Sequence, residues 1–324
     1  MKRVLISGVT GYLGSELARQ CLNANYTVTG TVRSLSNQKK LSVLDQLPQR
    51  QNLKLVEADL RSPSDVWVEA AESCDYILHS ASPVSDEDFL DTPLIGMQSI
   101  LEAAKVHKVK RTVFTSTVNT LMALKPNNGV YTEQDEGDPQ IGMKYGRGKI
   151  IAENWAWQFC KQNELSLSVI LPGLIFGEGL QQTSSGEILL AFLGQNRVVN
   201  IFCPLIDLQD CALSHLKALE SPIAHGQRYI CVAKSLWFLE IMKFLNQQFQ
   251  KYGYKFPKKP FPHFESFSKL AKVLNEDLAL VLQLANKEFH YSSEKMQKEL
   301  NMEFKPVEES ILGSFYQLIT TGKV

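Results

Sequence analysis

Tyr145 and Lys149 stand four residues apart in the stretch MKYGRGKIIAENW (143–155). In a helix that spacing puts a phenol and an ammonium on the same side. A free phenol ionises near pH ~10 and is a poor acid at neutrality. A cation beside it favours the phenolate and lowers that value toward the working range of an acid–base group. Carbonyl reduction by hydride needs such a donor, because charge develops on oxygen and a proton must reach it.

The same Tyr-x-x-x-Lys spacing occurs twice more. Tyr254 and Lys258 enclose Pro257, so no helix aligns them. Tyr291 precedes Ser292 and Ser293, both good N-caps, and stands outside the helix that carries Lys295. Only Tyr145 and Lys149 head a long helix, and they follow FTST (114–117), a strand end that delivers a hydroxyl to the same place. Gly146 and Gly148 sit in the first turn of that helix, at ~1 kcal/mol each relative to alanine. They are either tolerated small residues or a bare helix start that lets a ligand come close.

A second motif precedes this one. The chain-initial strand RVLIS runs into SGVTGYLG, with glycines at 8, 11 and 14 and an amphipathic helix behind them. Gly8 permits the tight turn, Gly11 lets the backbone approach a pyrophosphate, and Gly14 lets the helix pack close to the strand. The helix N-terminus offers free N–H groups to the anion. After the second strand, where an acidic residue would hold a ribose 2′-hydroxyl, stands Arg33, with Lys40 seven positions on. A guanidinium matches a 2′-phosphate, so the expected cofactor is NADPH. Asp59, after the third strand, is either an adenine contact or a helix cap.

The elements that must position these groups alternate. Residues 3–7, 26–32, 53–58, 76–80, 111–116 and 167–171 read as strands; 12–24, 64–71, 93–106 and 145–163 read as helices. Apolar strands separated by helices imply a doubly wound α/β fold whose parallel sheet is covered on both faces. Beyond 173 the pattern is mostly helical (185–194, 207–220, 235–250, 275–285, 293–300, 308–320), with one strand-like run at 228–233 and a proline-rich loop at 251–264. The expected organisation is a dinucleotide domain over 1–172 and a smaller substrate lobe over 173–324, with 207–220 packing back on the first domain.

Composition narrows the function classes. The 324 residues carry 34 basic and 34 acidic side chains, so no net field draws the chain to nucleic acid or an anionic membrane. The apolar run at the N-terminus is too short for a signal peptide, and no stretch approaches the ~18 apolar residues of a membrane span. Six scattered cysteines suit buried thiols in a reducing compartment, and the six histidines show no metal-ligand spacing. The expectation is a cytoplasmic protein, monomer or homodimer, acting on a small molecule and holding no metal.

With its glycine spacing and Tyr145/Lys149 pair the chain resembles the extended short-chain dehydrogenase/reductases of the epimerase/dehydratase superfamily. HSASPV (79–84), RTVFTST (111–117), YGRGKIIAENWAW (145–157), LPGLIFG (171–177), LIDLQDCALSHLKALESP (205–222) and GQRYICV (226–232) look like stretches of dihydroflavonol and cinnamoyl-CoA reductases. The resemblance covers roughly residues 3 to 250. It implies Thr117 as the catalytic hydroxyl, with Ser116 as second candidate, beside Tyr145 and Lys149. It also implies cofactor contacts from Gly8, Thr10, Gly11, Tyr12, Leu13, Gly14, Arg33, Lys40, Asp59, Leu60, Ser80, Ala81, Ser82, Pro172, Gly173, Leu174 and Ile175. Ser99 stands where many relatives have an asparagine.

The expected substrate pocket is apolar, with Val84, Met122, Phe176 and Leu189 as its principal residues and Phe89, Leu121, Ile141, Met143 and Phe192 beside them. Met122 occupies a position where plant dihydroflavonol reductases often carry an asparagine that meets substrate hydroxyls, which disfavours a polyhydroxylated flavonoid. The leading expectation is an NADPH-dependent carbonyl reductase. A sugar-nucleotide epimerase or dehydratase with bound NAD, and a non-catalytic sensor or scaffold, are the alternatives.

Overall fold

The computed structural model describes residues 1–83, 89–122, 129–181, 184–261 and 276–324. In chain order the strands are β1 (Arg3–Ser7), β2 (Thr27–Val32), β3 (Leu53–Glu57), β4 (Tyr76–His79), β5 (Arg111–Thr115), β6 (Val130–Tyr131), β7 (Leu167–Pro172), β8 (Leu174–Phe176), β9 (Arg197–Val198), β10 (Phe202–Asp207), β11 (Gln227–Cys231), β12 (Lys234–Trp237), β13 (Lys259–Pro260) and β14 (His290–Tyr291).

Seven strands form one sheet in the order β11-β7-β5-β4-β1-β2-β3, every pair parallel. Successive side chains of a strand face opposite ways, so a strand buried on both faces must be apolar at every position. In β1, Val4 and Ile6 enter one core with Val28, Leu78, Val113 and Ile170. Leu5 enters the other with Ile77, Phe114, Val169 and Leu171. The helices Tyr12–Asn23 and Leu208–Glu220 close the first core; Ser64–Ala70, Thr92–Val106 and Lys144–Gln162 close the second. Strand order reverses between β1 and β4, and a crevice opens there at the carboxyl ends, where such folds bind ligands.

Three segments beyond residue 173 belong to these layers: β11 at the sheet edge, the helix Leu208–Glu220 on its face, and the short helix Glu294–Glu299 with the turn after it, whose Met296, Leu300 and Met302 enter the first core. The rest of that half forms a lobe with its own core, which includes Phe176, Leu189, Phe238, Phe249 and Phe315. Its three-stranded sheet, β12-β10-β8, is absent from the sequence reading. β8 has three residues and β12 four, too short to show an alternation. The proline-rich segment is likewise not all loop, since Lys259–Pro260 pairs with Arg197–Val198; its residues from 262 onward lie outside the described residues.

Asp207 joins the layers. Its buried carboxylate caps the helix Leu208–Glu220 by accepting from the Gln209 N–H at 2.7 Å, and it accepts from the Ser310 hydroxyl at 2.8 Å on the last helix, Val307–Thr320. Loss of a cap costs ~0.5–2 kcal/mol, and a buried hydroxyl left unpaired adds ~1–3 kcal/mol. Asp207→Ala is therefore expected to lower unfolding free energy in urea by ~2–4 kcal/mol; a change under ~0.5 kcal/mol would contradict this joint role.

Candidate active site

The crevice at the sheet's reversal is a cavity of about 710 Å³. Gly8, Thr10, Gly11, Tyr12, Leu13 and Gly14 form one wall, and Arg33, Lys40, Asp59, Leu60, Arg61, Ser80, Ala81 and Ser82 line the rest with others. Gly8 takes φ +70°, which a side chain disfavours, and a Cβ on Gly14 would stand 2.2 Å from the Gly8 carbonyl oxygen. The turn and the close approach therefore both need glycine. The helix that follows begins at Tyr12 with no side chain capping it, which leaves its first N–H groups for an anion. Arg33 and Lys40 are exposed at the far end. Asp59 accepts from the Arg61 N–H at 3.0 Å within a tight turn and also lines the cavity. Arg61 adds a third basic residue there that the sequence reading misses.

Tyr145 and Lys149 project from the first two turns of the helix Lys144–Gln162 toward the carboxyl end of β5. Lys149 is 2% exposed; its Nζ donates to the Thr115 carbonyl at 2.9 Å and lies 4.7 Å from the Phe114 ring centroid. Burial pulls its pKa down to about 7, against the opposing charge of Glu153. Its Nζ is 5.9 Å from the centre of the Tyr145 ring. Burial pushes the Tyr145 phenol up, with the Ser82 hydroxyl pulling the other way. The direction is opposite to the expected depression: burial dominates at the phenol, and the Lys149 N–H is directed at the Thr115 carbonyl instead.

Thr117 and Tyr145 open into a second cavity of about 440 Å³. Its other walls include Tyr12, Val118, Asn119, Met122, Met143, Gly173, Leu174, Ile175, Ile188, Phe202, Val281, Leu284 and Phe289, with no charged side chain among the described lining residues. Tyr12 lines both cavities. Ser116, the second candidate hydroxyl, faces elsewhere: it is 2% exposed and donates to Glu153 Oε2 at 2.8 Å.

Several expected site residues stand elsewhere. Phe176 and Leu189, read as substrate contacts, are buried in the lobe core, because an apolar residue near a pocket serves a core equally well. Leu121 is buried against the sheet, Ile141 is exposed, and Phe192 packs edge-on against Phe238. Val84 lies outside the described residues. Gly173, Leu174 and Ile175, expected at the cofactor, line the apolar cavity beside Thr117 and Tyr145, and Pro172 is buried at the end of β7, lining neither cavity. Ser99 is buried near Ser64, its Oγ 3.4 Å from that hydroxyl, so it joins two helices. The missed residues Phe202, Val281, Leu284 and Phe289 come from the lobe, with no local motif to mark them.

The sheet order, the glycine turn at its reversal and the Tyr–Lys pair beside it define a doubly wound protein of the dinucleotide-binding class. The chain belongs to the NAD dependent epimerase/dehydratase family, which it matches over residues 4–221. It is 30% identical over 332 residues to cinnamoyl-CoA reductase 1 of Petunia hybrida, covering 98% of this chain and 92% of that one. It is 29% identical over 339 residues to the bifunctional dihydroflavonol 4-reductase/flavanone 4-reductase of Malus domestica, covering 96% and 88%. The solved structure of yeast methylglyoxal/isovaleraldehyde reductase complexed with NADPH has a TM-score of 0.79 to this fold at 20% identity, covering 99% of this chain and all 100% of that one.

The two first-turn glycines have a packing explanation. A Cβ on Gly148 would lie 1.8 Å from the Phe89 carbonyl oxygen, whereas on Gly146 the nearest atom, the Asn119 carbonyl oxygen, is 3.1 Å away. Phe89 in turn meets the Tyr145 ring edge-on at 5.6 Å. Alanine gains ~1 kcal/mol of helix propensity at either site, while overpacking costs ~1–3 kcal/mol. Gly148→Ala is expected to be destabilised in urea melts and Gly146→Ala to be within ~1 kcal/mol of wild type. Equal stabilities for the two variants would refute the packing account.

Proposed function

We propose that this protein is an NADPH-dependent carbonyl reductase acting on a ketone or aldehyde of an uncharged, largely apolar small molecule. One observation carries the reading: Thr117 and Tyr145 line an uncharged, largely apolar cavity that shares Tyr12 with the phosphate-loop cavity. The residues present fit the cofactor. Gly8, Gly11 and Gly14 with the uncapped helix start would take its pyrophosphate, Arg33 and Lys40 its 2′-phosphate, and Lys149 its nicotinamide ribose.

When bound, NADPH supplies the hydride that goes to the carbonyl carbon. Thr117 orients the carbonyl oxygen by hydrogen bonding. Tyr145 passes its phenolic proton to that oxygen as charge builds, and the ammonium of Lys149 favours the resulting phenolate. The apolar walls exclude water from the reacting groups. The named activities of the reductase relatives and the NADPH in the yeast structure support this reading. A sugar nucleotide suits the cavity poorly, since its diphosphate would meet no cation among the described lining residues.

Loss of NADPH absorbance on adding apolar ketones and aldehydes tests the activity, and no turnover with any such compound counts against it. Tyr145→Phe removes one oxygen and little volume, so folding and NADPH binding are expected to survive while kcat falls by ~10²–10⁴-fold. Thr117→Val should be severe and Thr117→Ser mild. Wild-type turnover by Tyr145→Phe would remove the catalytic assignment. Arg33→Asp is expected to weaken NADPH binding more than tenfold and leave NADH binding equal or better, since a charge-assisted contact is worth ~1.5–3 kcal/mol. Equal affinity of the wild type for the two cofactors would show that Arg33 does not select the phosphate.

A further inference from the structure

Below the catalytic pair lies a buried carboxylate that the proposed chemistry does not use. Glu153, 3% exposed, follows Lys149 by one helical turn. Its Oε2 accepts from the Ser116 hydroxyl at 2.8 Å and its Oε1 from the Trp157 indole N–H at 3.3 Å. Arg228 of β11 forms an ion pair with it, Nε to Oε1 at 2.6 Å. That guanidinium also donates to the Asp135 carbonyl at 3.2 Å. A buried pair of this kind adds little net stability compared with apolar packing of the same volume. Its placement is therefore better explained by what it orients.

Three consecutive residues at the end of β5 are each committed to the site. Thr115 offers its carbonyl to Lys149, Ser116 gives its hydroxyl to Glu153, and Thr117 faces the cavity with Tyr145. The helix thus meets the strand end through 145, 149 and 153, at successive turns of one face. We infer that Glu153 is a positioning residue for the catalytic pair. Its carboxylate pins Ser116, and with it Thr117, against the helix, and it sets a negative charge one turn from the Lys149 ammonium. This rests on the roles given to Tyr145 and Lys149 above.

Among the described residues Glu153, itself paired with Arg228, is the acidic side chain that acts on Lys149. The groups facing it are Tyr145 and Glu153 on its own helix, the Phe114 ring and Thr115 carbonyl of β5, and His79 of β4. His79 is neutral, pushed down to about 3 by its burial and by Lys149 itself. Glu153 is therefore the one anion among these groups. Lys149 must be charged to favour the phenolate, so activity is lost as pH rises through its titration. Removing the Glu153 charge moves that loss to lower pH.

The test compares full-length wild type with Glu153→Gln, which keeps the size and an acceptor oxygen. Lysine labelled with ¹³C at Cε reports the Lys149 titration by NMR, assigned through its disappearance in Lys149→Arg. The expected result is a midpoint lowered by ~1 pH unit or more, with the alkaline limb of kcat/KM moving alongside it. Ser116→Ala keeps the charge and frees the strand end; it is expected to lower kcat by ~10-fold with the midpoint unmoved. Should Glu153→Gln fail to fold, the double variant Glu153→Gln/Arg228→Gln removes both charges of the ion pair; its midpoint is expected to fall by less, because loss of the guanidinium partly offsets loss of the carboxylate, and a midpoint and limb that do not move overturn the inference. A carboxylate that only stabilises the fold would lower the melting temperature and leave midpoint and limb in place, and that outcome overturns the inference. The NMR midpoint needs no turnover, so full activity in Tyr145→Phe would refute the catalytic reading separately.

Discussion

The amino group of Lys149 sits almost out of reach of water, held by one backbone carbonyl and the face of one ring. An ammonium in that setting loses most of its hydration, and several kcal/mol must be recovered from fixed neighbours. The carbonyl of Thr115 is directed at it because β5 ends there, at the centre of the sheet. Thr115 is itself fixed from the opposite face, its hydroxyl 2.8 Å from His215 Nε2. The other ring nitrogen, Nδ1, lies 2.7 Å from the Cys211 carbonyl, which can only accept, so Nδ1 carries the proton and Nε2 accepts from the threonine. Burial holds His215 down at about 4, consistent with a neutral ring. Helices on both faces of the sheet thus converge on one strand end, and that convergence lets a cation be buried beside a phenol.

The two cavities are built on different principles. The phosphate-loop side consists of backbone and charge: glycines that allow close approach, an uncapped helix start, and basic residues at the far end. Its parts lie near one another in sequence because a strand–turn–helix unit makes most of them. The apolar side consists of area gathered from Met122, Met143, Ile188, Phe202, Val281 and Phe289, which meet only after the lobe has folded against the sheet. A change in the second set alters which molecule fits without disturbing the first. Tyr12 is where they meet, with its hydroxyl donating to the Gly177 carbonyl at 2.6 Å.

This difference explains what could be read from the sequence. The glycine turn and the placement of Arg33, Tyr145 and Lys149 at the sheet's crevice are legible because each depends on residues a few positions away: a strand before, a helix after, one turn between. Phe176 and Leu189 were misassigned because apolar character says that a residue is buried, not whether its neighbour is a core or a cavity. Gly148 has its reason in the Phe89 backbone, and the Ser116–Glu153 contact in the meeting of a strand end with a helix, neither of which a local pattern encodes. The lobe's strands are hard to read for a simpler cause: β8 and β12, with three and four residues, are too short to display a period, and β10, with six, is interrupted by Pro204.

The phenol's acidity shows the same limit of local reasoning and bears on direction. Spacing alone predicts a tyrosine made more acidic by its lysine, whereas burial makes it less acidic, and Lys149 spends a hydrogen bond on Thr115. A tyrosine held up in this way stays protonated at neutral pH. On the proposed chemistry it is ready to give its proton to a carbonyl oxygen, and a poor base for taking one from an alcohol. The charge of Lys149 then contributes chiefly after the proton has left, when a phenolate has formed in a site of low polarity and the attraction between opposite charges is largest. An arrangement that stabilises the charge formed in the reaction more than the resting phenol favours the step over the ground state, as catalysis requires. The buried lysine and the raised tyrosine are therefore two parts of one device, and both follow from excluding water at the end of β5.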